Sequence, residues 1–65
     1  MAGTYYKALT KALSKAGFSY LRAAKGSHEV WQQTQTGRKV IVPHNLKSRH
    51  TANAILKSAG IEHKV

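Results

Sequence analysis

The sequence predicts a small α+β domain with the element order helix, three antiparallel strands, helix. Two apolar stripes at helical spacing, one towards each end of the chain, predict the helices. Between them, β-forming stretches separated by glycine-containing turns predict the strands. We expect both helices to cover one face of the sheet and to leave the other face open to solvent. Residues 1–65 are expected to form a single domain.

The helices are predicted from the spacing of their apolar side chains and from their end signals. The first stripe consists of Tyr6, Leu9, Leu13 and Ala16, with Thr4 as a candidate N-cap and Gly17 as the C′ residue. The second stripe consists of Ala52, Ile55, Leu56 and Ala59. Ser48 or Thr51 can cap this helix, and Gly60 can end it with Ile61 packed back on Leu56.

The strands are predicted over residues 18–25, 28–33 and 38–42. The first two are separated by a turn at residues 25–27, and the last two by a hairpin loop at residues 34–37 with a positive φ at Gly37. In the third strand Val40 and Val42 share one face, and Pro43 ends the strand because it has no N–H to donate.

The charge of the chain is strongly unbalanced. The chain has eleven Lys and Arg residues but two acidic residues, Glu29 and Glu62, which gives a formal net charge of +9. Such a charge attracts polyanions, so nucleic acid is the first partner to consider and an acidic protein the second. The chain has no cysteine, which excludes disulfides and thiolate metal sites. No apolar run approaches the roughly 20 residues of a membrane span, so we expect a cytoplasmic protein without a membrane partner.

The chemistry of the sequence centres on a histidine at the predicted start of the second strand. His28 follows a Gly-Ser turn and precedes Trp31 by three residues, an odd number. Residues an odd number apart on a strand face opposite sides, so His28 faces solvent if Trp31 packs inward. Arg22, Lys39 and Ile41 are further candidates for the open side of the sheet.

Few reactions are compatible with the reactive residue types that this chain contains. The chain offers no Ser-His-acid set, no cysteine nucleophile and no phosphate-binding glycine loop, and the adjacent Glu29 is expected to point away from His28. Its four histidines lack carboxylate partners and metal-ligand spacing, so we expect no metal and no cofactor.

RNA cleavage is the reaction that fits, because RNA carries its own nucleophile, the 2′-hydroxyl. A histidine titrates near neutral pH and can act as general base or acid. Cations nearby can stabilise the charge that develops on phosphate. The expected RNA-binding residues are Lys25, Arg22, Arg38, Lys39 and Ser27. From the residues alone, an exposed histidine that is a plain surface residue or a simple ligand contact remains an alternative.

The chain resembles the HicA family of toxins, also described as YcfA-like proteins. The matching segments are residues 13–18 (LSKAGF), residues 25–28 (KGSH) followed by Trp31, Gly37-Arg38, residues 40–44 (VIVPH) and residues 55–61 (ILKSAGI). They occur in the family's order and span nearly the whole chain.

The resemblance implies a fold similar to double-stranded-RNA-binding domains, α-β-β-β-α. It implies an mRNA interferase, an endoribonuclease of a type II toxin–antitoxin system, with His28 as the catalytic residue. It further implies mRNA and a HicB-type antitoxin as partners. Operator DNA is then contacted only indirectly, through the antitoxin's DNA-binding domain.

Three features depart from the family pattern. Many relatives have a second histidine where this chain has Glu29, and a carboxylate there can raise the pKa of His28 or repel phosphate. The segment between Phe18 and Gly26 is slightly long, which predicts a β-bulge. The connection from Pro43 to the second helix is short and lacks the usual Gly-Thr start.

Two other function classes remain open at this stage. A non-catalytic RNA-binding module of the same fold would show salt-sensitive RNA affinity without cleavage. An interaction protein whose charge serves an acidic partner would not bind RNA in its free state. His44 is either a contact for RNA or antitoxin or a plain loop residue.

Overall fold

A computed structural model describes residues 5–65 of the chain. Helix α1 (Tyr6–Lys15) is followed by strands β1 (Phe18–Ala23), β2 (His28–Gln33) and β3 (Lys39–Pro43) and by helix α2 (Arg49–Ser58). The strands form one antiparallel sheet in the order β1-β2-β3. The predicted fold class, α+β with the order α-β-β-β-α, is confirmed.

The hydrophobic core lies between the two helices and one face of the sheet, as predicted. Val40 and Val42 are buried on that face, and both helices contribute their apolar stripes to the same cluster. The buried members of the core are Leu9, Leu13, Phe18, Val40, Val42, Leu46, Ala52, Leu56 and Ala59. No helix formed by residues 5–65 covers the opposite face of the sheet, where Ile41 is half exposed.

Helix α1 begins one residue later than the predicted cap would place it. Tyr5 is its N-cap and makes no side-chain capping bond, while Thr4 lies outside the described residues. The Tyr5 N–H donates to the Leu46 carbonyl oxygen (2.7 Å), which ties the helix start to the segment before α2. Gly17 is the C′ residue, as predicted, and Phe18 turns back into the core.

Helix α2 has the predicted signals at both ends. Of the two candidate caps, Ser48 fills the position, and its side chain accepts from the Thr51 N–H at 3.2 Å. At the other end Gly60 has a φ of +79°, and the Ile61 N–H donates to the Leu56 carbonyl oxygen at 2.9 Å. These are the features of a Schellman motif. Neither helix, nor any other within residues 5–65, is long and apolar enough to cross a bilayer.

Strand β1 ends at Ala23, two residues before the predicted boundary, and contains the predicted β-bulge. Tyr20 pairs with Trp31, whereas Arg22 pairs with Val30, so the register shifts at Leu21. The two paired aromatic rings meet edge to face, with centroids 6.3 Å apart. The predicted hairpin loop before β3 is present, and its glycine has the predicted positive φ.

Candidate catalytic surface around His28

The register of the sheet fixes the side on which His28 lies. His28 is the first residue of β2, is exposed, and pairs with Pro43. Trp31 pairs with the buried Val40 and packs against the core, so its side chain is on the helix side. Because side chains alternate along a strand, His28 lies on the open face, as predicted.

The imidazole of His28 contacts its own turn. Its Nδ1 lies 3.2 Å from the Lys25 carbonyl oxygen. A carbonyl oxygen can only accept, so this contact requires a proton on Nδ1. In the neutral ring Nε2 is then the basic nitrogen. The arrangement leaves Nε2 available to exchange a proton with a ligand on the open face.

Backbone hydrogen bonds hold the turn that presents His28. The His28 carbonyl oxygen accepts from the Ala24 N–H at 2.8 Å, and the His28 N–H donates to the Lys25 carbonyl oxygen at 3.3 Å. On the β3 side, the His44 N–H donates to the Ser27 carbonyl oxygen at 2.7 Å. Gly26 takes a φ of +66°, a conformation that residues with a Cβ rarely adopt, which explains a glycine at this position.

Two of the predicted phosphate-binding cations lie at the His28 end of the sheet. Lys25 is in the turn itself, and Arg22 pairs with Val30, the next residue after His28 on the same face of β2. Both are exposed, as is Ser27. The structure therefore brings His28 and Arg22 to one end of the open face, with Lys25 and Ser27 in the adjoining exposed turn.

The other two predicted cations lie at the opposite end of the sheet. Lys39 pairs with Gln32, four residues along β2 from His28, which corresponds to about 13 Å at the usual rise per strand residue. It shares the open face with His28. The guanidinium of Arg38 lies against Gly60, where an added Cβ would be 2.5 Å from Nη1. Neither cation is therefore adjacent to His28 itself.

Glu29 points to the helix side, away from His28, as its place on the strand predicts. It pairs with the buried Val42. Its Oε1 accepts from the Tyr6 hydroxyl at 2.8 Å and from the Trp31 Nε1 at 3.0 Å. The carboxylate is thus separated by the sheet from the surface on which phosphate would lie.

The surface around His28 is open rather than a closed pocket. Two cavities, of about 690 and 790 Å³, lie on the helix side, one between α1 and the C-terminal residues and the other between α2 and those residues. His28 lines neither of them. Within residues 5–65, no three His, Cys, Asp or Glu side chains are placed to hold a metal ion. An open surface can admit a polymer backbone.

Comparison with known families identifies the chain. The model of the HicA toxin of bacterial toxin–antitoxin systems matches residues 6–61. The chain belongs to the HicA toxin family. It is therefore a toxin of a toxin–antitoxin system, and an antitoxin is implied as its partner. No curated protein and no solved structure matches the chain.

The sequence of this HicA-family toxin does not predict the contacts that three residues near the site make in the structure. The sequence predicts Tyr6 only as part of the apolar stripe, predicts that Glu29 points away from His28 but not what it binds, and leaves the role of His44 undecided. In the structure the Tyr6 and His44 rings pack together with centroids 4.7 Å apart. Tyr6 and Glu29 are 23 residues apart in sequence, so no local pattern indicates their contact.

The environment of Tyr6 predicts an alkaline limit to the stability of this HicA-family toxin. Burial, followed by the hydrogen bond to Glu29 and its negative charge, raises the pKa of Tyr6 from 10.0 to about 12. A raised pKa in the folded state means that neutral Tyr6 stabilises the fold below pH 10, and that this contribution is lost as the pH rises towards 12.

Urea unfolding of wild type and Tyr6→Phe measures this contribution. We expect wild type to be more stable at about pH 9, and the difference to shrink as the pH approaches about 12, because both proteins share all other titrating groups. Tyr5→Phe is the matched control, since no hydrogen bond of its hydroxyl is found within residues 5–65. A difference between wild type and Tyr6→Phe that stays constant over this range would contradict the assignment.

Proposed function

We propose that this HicA-family toxin is a metal-independent endoribonuclease that cleaves mRNA, with His28 as its acid–base residue. The observation that carries the proposal is the geometry of His28. Its ring is exposed on the open face, its Nδ1 is directed to the Lys25 carbonyl oxygen, and its Nε2 is available to substrate. The net charge of +9 favours a polyanionic substrate.

The proposed reaction uses the ribose 2′-hydroxyl as nucleophile. The Nε2 of His28 accepts the 2′-hydroxyl proton while the 2′-oxygen bonds to the adjacent phosphorus. The bond from phosphorus to the 5′-oxygen then breaks, and that oxygen takes a proton from the imidazolium. The products are a 2′,3′-cyclic phosphate and a 5′-hydroxyl, so no water, metal or cofactor is consumed in this step.

Lys25 and Arg22 are the proposed partners of the reacting phosphate. Arg22 lies on the open face near His28, and Lys25 lies in the exposed turn before it, where a cation can stabilise the extra negative charge of the pentacovalent transition state. Ser27 lies in the same turn and can contact a phosphate oxygen. Lys39, on the same face but about 13 Å along β2, suits a phosphate further along the strand of RNA. Arg38 lies against Gly60, so its part in RNA binding would be peripheral.

A non-catalytic RNA-binding module is the second candidate. On the open face, the half-exposed Ile41 has Lys39 two residues away on the same strand, and Arg22 lies two strands away beyond Val30. These residues offer apolar and cationic contacts to RNA that do not require chemistry. This alternative predicts salt-sensitive binding and intact RNA after prolonged incubation.

The antitoxin is proposed to be of the HicB type. An acidic antitoxin would complement the +9 charge of this chain and speed its capture. The toxin would then contact operator DNA only through the antitoxin. We also propose a cytoplasmic location, since both proposed activities, cleavage of mRNA and capture by the antitoxin, would take place there.

Cleavage of a modified RNA tests the proposed reaction. We expect the toxin to cleave RNA in the presence of EDTA and to leave products with a 2′,3′-cyclic phosphate, because the substrate supplies the nucleophile. Replacement of the single 2′-hydroxyl at each mapped cleavage position by hydrogen should abolish cleavage there, while a 2′-deoxy substitution several nucleotides away serves as the control. Cleavage at the 2′-deoxy position, or complete dependence on added Mg²⁺, would refute the mechanism.

A further inference from the structure

The turn that carries His28 is exposed, and within residues 5–65 the His28 side chain has one hydrogen-bond contact, which is to its own turn. That contact, between Nδ1 and the Lys25 carbonyl oxygen, is 3.2 Å long. The backbone sets the position and direction of the Cα–Cβ bond, and with them the region that the rotamers of an exposed side chain can reach. The contacts of the residues on either side of His28 are therefore decisive for where its imidazole lies.

The residue after His28 is tied to helix α1. The Oε1 of Glu29 accepts from the Tyr6 hydroxyl, which reaches it from the first turn of α1, and from the Trp31 Nε1 on the same strand. Hydrogen bonds to an ionised acceptor are roughly twice as strong as neutral ones. The two donors thus fix the side chain of Glu29, and with it the backbone of β2 directly after His28.

The residue before His28 is tied to the same tyrosine by a second route. The Ser27 carbonyl oxygen accepts from the His44 N–H at 2.7 Å, and the His44 ring packs against the Tyr6 ring at 4.7 Å. The contacts form a closed loop from Tyr6 to Glu29, along the chain through His28 to Ser27, and back through His44. Tyr6 is the one side chain that takes part in both routes.

We propose that Tyr6 and Glu29 are positioning residues that hold the His28 turn from the opposite side of the sheet. Neither side chain faces the substrate surface, since Glu29 pairs with the buried Val42 and Tyr6 reaches it from α1. They act through the backbone of Ser27 and Glu29, which places the imidazole at a set distance from Lys25 and Arg22. The inference rests on the proposed catalytic role of His28.

The test compares two conservative variants with matched controls. Tyr6→Phe removes one oxygen atom and keeps the ring against His44, and Glu29→Gln keeps the shape but removes the charge. Tyr5→Phe makes the same atomic change one residue away, and Glu62→Gln makes the same charge change at an exposed site in the C-terminal segment. The readouts are kcat and KM for RNA cleavage and the NMR signals of the His28 ring in the free protein.

We expect kcat to fall about tenfold or more in Tyr6→Phe and Glu29→Gln, because a misplacement of about 1 Å can cost up to 100-fold. KM should stay within about twofold of wild type, since the phosphate-binding cations are unchanged. The His28 ring signals should shift or broaden in these two variants. Both controls should match wild type in kcat and in the NMR spectrum.

The NMR readout separates this inference from the proposed function. If His28→Ala still cleaves RNA, the proposed function fails, yet the ring signals still report whether Tyr6 and Glu29 hold the turn. If His28→Ala is inactive but both variants cleave with the wild-type kcat, the positioning inference is overturned. A lower kcat with unchanged His28 signals and a lower melting temperature would mean general destabilisation and would also overturn it. If Glu29→Gln does not fold, the kcat and the His28 signals of Tyr6→Phe alone decide whether the positioning inference holds.

Discussion

His28→Ala should lower the rate of RNA cleavage by about 10²–10⁴-fold, the usual contribution of a general acid–base residue. The fold should remain intact, because His28 is exposed and, within residues 5–65, its side chain makes one hydrogen bond of 3.2 Å. Surface substitutions of this kind change the free energy of unfolding by about 0.5 kcal/mol or less. In cells, expression of the variant from a tightly controlled promoter should no longer arrest growth.

His50→Ala is the matched control for this prediction. His50 is also exposed, but it lies in the first turn of α2, where the helix packs on the face of the sheet opposite to the His28 side chain. We expect it to cleave RNA and arrest growth like wild type. Equal growth arrest and equal mRNA degradation by His28→Ala and wild type would show that another group performs the chemistry.

Leu56→Ala should destabilise the protein by about 2–5 kcal/mol, the range for removing a fully buried leucine side chain. Leu56 is 0% exposed and lies in α2 against the core. A chain of 65 residues has a free energy of unfolding of about 3–10 kcal/mol on the usual per-residue scale. The substitution therefore removes a large part of the total stability, and we expect a substantial unfolded population at 37 °C.

Urea denaturation followed by the fluorescence of Trp31 measures the effect, because Trp31 packs against the same core. Ile41→Ala is the control, since it also shortens an aliphatic side chain but at a residue that is 50% exposed on the open face. Its cost should be about 1 kcal/mol or less, as is typical outside cores. Similar urea midpoints for the two variants would contradict the assignment of the core to the helix side.

The elements of this fold could be predicted because their signals are local. The stripe of α2, its serine cap and its terminal glycine lie within residues 48–61, and each acts on neighbours three to five residues away. The choice between Ser48 and Thr51 was not decided, because both residue types cap helices and only the backbone geometry distinguishes them. The orientation of His28 followed from strand alternation alone.

The arrangement of the cations was only partly predictable. His28 starts β2, whereas Lys39 follows the hairpin loop and pairs near the end of β2, so antiparallel pairing alone separates them. The positions of His28 and Lys39 relative to the hairpin loop could be read from the sequence. The contact of Arg38 with Gly60 had no such signal, because it joins the hairpin to the end of α2 with 21 residues between them. Contacts between distant segments depend on packing that no local pattern encodes.

The bulge in β1 decides which side of the sheet its only cation faces. Tyr20 and Arg22 are two residues apart and would share a side on a regular strand, yet they pair with Trp31 and Val30, which face opposite sides. If Leu21 were deleted, the ladder would be regular, with Arg22 opposite Val30 and Ala23 opposite Glu29. The arginine would then keep its present partner. If all residues were kept but the pairing had no bulge, Arg22 would pair with Glu29, and its side chain would lie on the helix side of the sheet. The one extra residue, Leu21, thus reverses the side on which the following residues lie, and it puts the positive charge of Arg22 on the face where the proposed reaction would take place.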